Sequence, residues 1–72
     1  METLDFALRG EHITLDALLK ASGLAPSGGA AKLLITGGGV RVNGEPEARR
    51  GRKLRAGHEV VVGETALHLR AG

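Results

Sequence analysis

Leu4, Phe6 and Leu8 alternate with Asp5, Ala7 and Arg9, the period of a strand with one buried face. Gly10 ends it. From Leu15 the period changes. Leu15, Leu18 and Leu19 fall at i, i+3 and i+4, so one side of a helix becomes apolar. Thr14 stands at its N-cap position, and Asp16 lies in the first turn, where the helix dipole favours an anion. Gly23 stops this helix near Ser22. Ala25-Pro26-Ser27 makes a bend. Ser27 caps a second helix whose buried face is Ala31, Leu34 and Ile35, and Gly37-Gly38-Gly39 ends it.

In Val40-Arg41-Val42 two valines point inward and one arginine outward. Asn43-Gly44 predicts a two-residue hairpin turn, because both central residues of a type I′ turn need positive φ. Pro46 cannot donate to a ladder, so the returning strand is an edge or irregular. Ala56-Gly57-His58 turns the chain into a strand from Glu59 to Val62. Gly63-Glu64 turns it again into a last strand, Thr65 to Leu69, with Leu67 and Leu69 on one face. The predicted class is α+β. Two short helices pack on a small, mostly antiparallel sheet of roughly four to five strands, in one domain spanning residues 1–72.

Composition sharpens this picture. The chain has 72 residues and no cysteine, so neither disulfides nor a thiolate metal site can hold it together. The core is aliphatic, and Phe6, the one aromatic residue, is assigned to it. Stability for a domain of this size is about 3–5 kcal/mol. No apolar run approaches the roughly 20 residues that span a bilayer. The acidic start, Met1-Glu2-Thr3-Leu4-Asp5, has no hydrophobic stretch of a signal peptide. A cytoplasmic protein without a membrane partner is expected.

Charge is more informative than its sum. The formal net charge is +2, yet five of the ten cations sit in Arg49-Arg50-Gly51-Arg52-Lys53-Leu54-Arg55, with no acid among them. From Pro26 to Gly57 seven cations, including Lys32 and Arg41, meet only Glu45 and Glu47, giving +5; the flanks sum to −3. Cations this dense repel one another unless a polyanion faces them, so the run reads as a nucleic-acid or phosphate patch. A solvated face that keeps a small protein soluble is the plain alternative. Gly51 is expected to keep the run flexible, and Leu54, its one apolar member, to pin it to the core.

The stretch from Leu15 to Gly44 resembles the RNA-binding domain named after ribosomal small-subunit protein four (the S-four domain, or alpha-L motif). Leu15-Asp16 with Leu19 is similar to the Leu-Asp-x-x-Leu start of that motif, and Ser27 with Ala31 to its Ser-x-x-x-Ala helix start. Leu34-Ile35, Gly38, Val40 and Val42-Asn43-Gly44 are similar to its helix end and hairpin, and Gly57 to its Gly-Asp turn. Ser27-Gly28-Gly29 and the basic run resemble the small stand-alone bacterial members. The resemblance implies binding of structured RNA, ribosomal or ribosome-associated, and no catalysis. Two positions depart from the pattern. Gly28 stands where members often carry Arg, so a phosphate-binding side chain is absent. His58 replaces the usual Asp, which implies the loss of a carboxylate–backbone bond in that turn.

The candidate RNA-binding residues are Ser27, Gly28, Gly29, Lys32, Arg41, Asn43, Arg49, Arg50, Arg52, Lys53 and Arg55. A helix start offers unpaired N–H groups and partial positive charge, and two glycines leave that backbone open to phosphate. Backbone amides with Lys32 then stand in for the missing arginine; a glycine-rich bend without a ligand is the alternative. Arg41 is expected near the basic loop, as a phosphate contact or an ordinary strand arginine. Asn43 is mainly a turn residue. These groups are expected to converge on one electropositive seat.

Without aromatics to stack bases, the target is helical or folded RNA held through phosphates and shape. His12, His58 and His68 lack metal-ligand spacing. Glu45 and Glu47 lack an accompanying nucleophile, so neither an enzyme, a cofactor nor a small-molecule substrate is expected. The expected state is a monomer. The competing reading is a protein-interaction adaptor whose basic loop docks on an acidic partner. A lipid-binding patch has no amphipathic basic helix to support it.

Overall fold

The computed structural model describes residues 1–72. Strand β1 (Glu2–Leu8) leads through the two-residue β2 (Ile13–Thr14) into helix α1 (Leu15–Ala21) and helix α2 (Gly28–Thr36). Strands β3 (Val40–Val42), β4 (Glu45–Pro46), β5 (Lys53–Leu54), β6 (Glu59–Val62) and β7 (Thr65–Ala71) complete the chain. Five strands form one sheet in the order β1-β7-β6-β3-β4, and β2 pairs with β5 in a separate antiparallel ribbon. The fold is the expected small α+β arrangement.

The sheet is antiparallel except where β1 meets β7 in parallel. A parallel pair needs a long crossover, and here the rest of the chain supplies it. The register lines up one apolar row across four strands, Val42 beside Val60, Val60 beside Leu67, and Leu67 beside Leu4. The next row, Arg41-Val61-Ala66-Thr3, faces the other way, as the two-residue period demands. The apolar row packs on Leu15, Leu18 and Leu19 of α1 and Ala31 and Ile35 of α2, all fully buried.

The hairpin forms as its sequence predicts. Asn43 and Gly44 hold φ of 51° and 84°, and β4 is an edge strand whose Pro46 stands opposite Arg41. Four details differ from the expectations. Strand β1 begins at Glu2 and β7 runs to Ala71, because their parallel pairing extends both. Thr14 occupies the N-cap position of α1 but its side chain makes no cap bond; the Asp16 carboxylate instead accepts the Ala17 N–H at 2.9 Å. Leu34 is only half-buried. Phe6 lies at the margin of the core, half-buried on an edge strand with no neighbour beyond it.

No helix is long and apolar enough to cross a membrane.

Candidate nucleic-acid interface

The basic segment is built around an acid that precedes it. Glu47, only 8% exposed, closes β4 by donating its N–H to the Val40 carbonyl. Its carboxylate then accepts from the N–H groups of Ala48 and Arg49, from Nε and Nη2 of Arg49, and from Nη1 of Arg52 at 2.7 Å. Hydrogen bonds from the two guanidinium groups, Arg49 first, hold the carboxyl well below its ordinary value, at about 2. The same pairing raises Arg49.

The segment is held at further points. Arg50 and Arg52 give their carbonyls to the N–H groups of Asp16 and Leu15, the first residues of α1. These bonds satisfy amides that a helix start would otherwise leave unpaired. Leu54 is fully buried, and Lys53-Leu54 pairs with Ile13-Thr14. Leu54 therefore does pin the run to the core. Gly51 lies between these anchors. The loop is fixed on both sides of it, and its backbone is one any residue adopts, with open space where a side chain would stand.

The five cations thus divide. Arg49 and Arg52 are bound to Glu47, with 75% and 31% of their side chains exposed. Arg50, Lys53 and Arg55 are exposed and form no ion pair. Arg41 is exposed on the sheet face turned away from the helices, whereas the loop docks on α1. The hairpin joins Arg41 to the start of the loop but presents it on the opposite side.

At the second helix, Ser27 caps as its residue type predicts, accepting the Ala30 N–H at 3.1 Å. The N–H groups of Gly28 and Gly29 donate to no group of the protein. Nothing within 4 Å would meet a Cβ at Gly28, and Lys32 is exposed and unpaired one turn on. This tip lies toward the far end of α1, where Ala25 N–H donates to the Leu19 carbonyl. The loop and the tip therefore flank α1, a helix about 10 Å long.

Two residues turn out to serve the fold directly. Asn43 accepts the Glu59 N–H on its side-chain oxygen at 2.8 Å and donates its own N–H to the Glu59 carbonyl. His58 Nδ1 accepts the Arg55 N–H at 2.8 Å. The imidazole supplies the backbone acceptor that was expected to be lost with the family's Asp. Glu47 is the residue that reading by charge missed. Its charge enters the sum and its carboxyl is considered as an acid–base partner, but a Glu two residues before an arginine run is itself a signal of pairing.

The fold, its paired helices and the anchored basic loop define a small α+β domain with one docked cationic segment. The family model of the S4 domain matches residues 6–69, nearly the whole chain, and the chain belongs to that family. It is also similar to the probable ribosome maturation protein RlbA of Bacillus subtilis (strain 168), at 46% identity over 52 residues. The match covers 72% of this chain and 73% of that protein.

Proposed function

We propose that this protein grips structured RNA, hairpin or duplex, on the ribosome or its precursors. Phosphates and shape are read, and no reaction is catalysed. The carrying observation is the segment 47–55, whose backbone is fixed on α1 and in the β2–β5 ribbon while Arg50, Lys53 and Arg55 stay free of acidic partners. Fixing the loop before binding removes an ordering cost that a flexible basic tail would meet on the RNA. The unpaired Gly28 and Gly29 amides with Lys32 form the second grip, toward the other end of α1. Likeness to a ribosome maturation protein supports a ribosomal RNA as the target.

Fluorescence anisotropy tests this with hairpin, duplex and single-stranded RNAs. Hairpin and duplex are expected to bind more tightly than the single strand. Equal weak binding to all of them, with tight binding to one acidic protein, would establish the adaptor reading instead.

Grafting is the finer test of the second grip. Gly28→Arg fits sterically and is expected to raise RNA affinity, while Lys32→Ala lowers it. If neither changes affinity, the helix tip is not a phosphate site.

A further inference from the structure

The core margin at Phe6 opens into a cleft of about 530 Å³, lined by Phe6, Ala7, Arg9, His12, Ile13 and Ala21. We propose that this cleft receives one unpaired nucleotide of the bound RNA; the inference rests on the RNA-binding reading above.

Three observations carry it. The first is the lining. Four of the six lining residues are apolar, and the protein's one aromatic ring is half-buried among them and not sealed in the core. Every base has a π-face that an exposed aromatic can stack on. The second is the rim. Arg9 and His12 are exposed, and Arg9 forms no ion pair. Gly10, at φ 114°, makes the bend between them that a side chain would resist. A cleft that holds both an aromatic ring and a guanidinium suits a nucleotide, with the base on the ring and the phosphate on the cation. The third is position. The β2–β5 ribbon pairs Ile13 of the cleft with Leu54 of the basic segment. His12 and Arg55 leave that ribbon at the same end. The cleft thus borders the ribbon whose other strand carries Lys53 and leads into Arg55. Its volume lies within the range of ~300–1,000 Å³ common to small-molecule sites.

The occupant is one base, because one ring is available to stack. A paired base cannot reach it, so the RNA must offer a bulged or looped-out nucleotide beside a helix. The protein would then combine phosphate grip on the helix with a preference for a local defect in it.

The test compares two RNAs, a fully paired hairpin and the same hairpin carrying one bulged 2-aminopurine. The wild-type protein is expected to bind the bulged form at least about five-fold more tightly, a lower bound for one stacked base. The fluorescence of the bulged base should change on binding. Phe6→Leu, which keeps the apolar volume, and Arg9→Ala at an exposed site should each reduce that preference. Neither should alter affinity for the paired hairpin. Melting curves verify that both variants fold, and Arg9→Ala stands alone if Phe6→Leu does not. Equal wild-type affinity for the two RNAs overturns the cleft proposal and leaves the RNA-binding reading intact. A preference that survives both substitutions overturns it as well. Failure to bind either RNA overturns the functional reading, and the cleft proposal with it.

Discussion

Glu47 places one negative charge where five hydrogen bonds converge, and its removal tests how the basic loop is held. Glu47→Gln keeps the shape and removes the charge. Part of the pairing is solvent-screened through Arg49, so the expected loss at pH 7 is modest, about 1–2 kcal/mol in urea unfolding. The pH dependence gives the sharper signature. The carboxyl titrates near 2 in the folded protein, below its ordinary value of 4.5. A depressed folded value contributes stability that is complete above the unfolded value and lost as pH falls through the folded one. The gap between wild type and Glu47→Gln should therefore be constant at neutral pH, shrink from about pH 4.5 downward, and vanish below 2. A gap independent of pH would mean that the carboxylate charge is not what holds the loop. His58 offers a milder case at the next turn. His58→Ala deletes the acceptor for the Arg55 N–H and should cost about 0.5–1.5 kcal/mol. His58→Asp, which returns an acceptor oxygen, should recover most of that loss in the same denaturation assay.

At the scale of elements, Leu54 joins three parts: the basic loop, the β2–β5 ribbon and the core under α1. Leu54→Ala is expected to cost about 2–5 kcal/mol, as other fully buried leucines do. For a domain stable by only about 3–5 kcal/mol that is most of its stability, and a thermal melt followed by circular dichroism should show a large drop in Tm. Ser27→Ala should cost nearer 1 kcal/mol, because the cap it removes is exposed and serves one amide. These differences in cost mirror what could be read in the chain. Both helices, the Asn43-Gly44 hairpin and the role of Leu54 follow from local period and turn chemistry, which act within a few residues. The β2–β5 ribbon does not, since two-residue strands carry no period and are made by pairing partners forty residues apart in sequence. The split of the arginines was equally hidden. Charge counting places Glu47 outside the run, and only the turn after Pro46 swings its carboxylate beneath Arg49 and Arg52. Phe6 misled for a related reason. Alternation gave it the inward face of β1, but an edge strand covers its inward residues on one side only.

Over the whole molecule, the cations do not act as one field. A net charge of +2 would predict weak attraction to RNA, and five equal arginines and lysines in one run would predict strong attraction. The ion pairs lie between these limits, because Arg49 and Arg52 already have a counter-charge while Arg50, Lys53 and Arg55 do not. Salt titration separates the contributions. Each phosphate neutralised adds roughly −0.7 to −0.9 to the slope of log affinity against log salt, so about four contacts give roughly −3 to −3.5. Arg50→Ala, Lys53→Ala and Arg55→Ala should each make the slope shallower by nearly one contact. Arg49→Ala should change it less, since a cation held by Glu47 releases fewer ions when RNA arrives. Arg41→Ala, across the sheet from the docked loop, reports whether the RNA wraps the hairpin: an unchanged slope confines the footprint to the helix side. Glu47→Gln completes the set. By freeing two guanidinium groups it should steepen the slope even as it loosens the loop, raising affinity at low salt and losing that gain as salt increases. A slope unchanged by Glu47→Gln would mean that Arg49 and Arg52 stay out of RNA contact with or without their acidic partner.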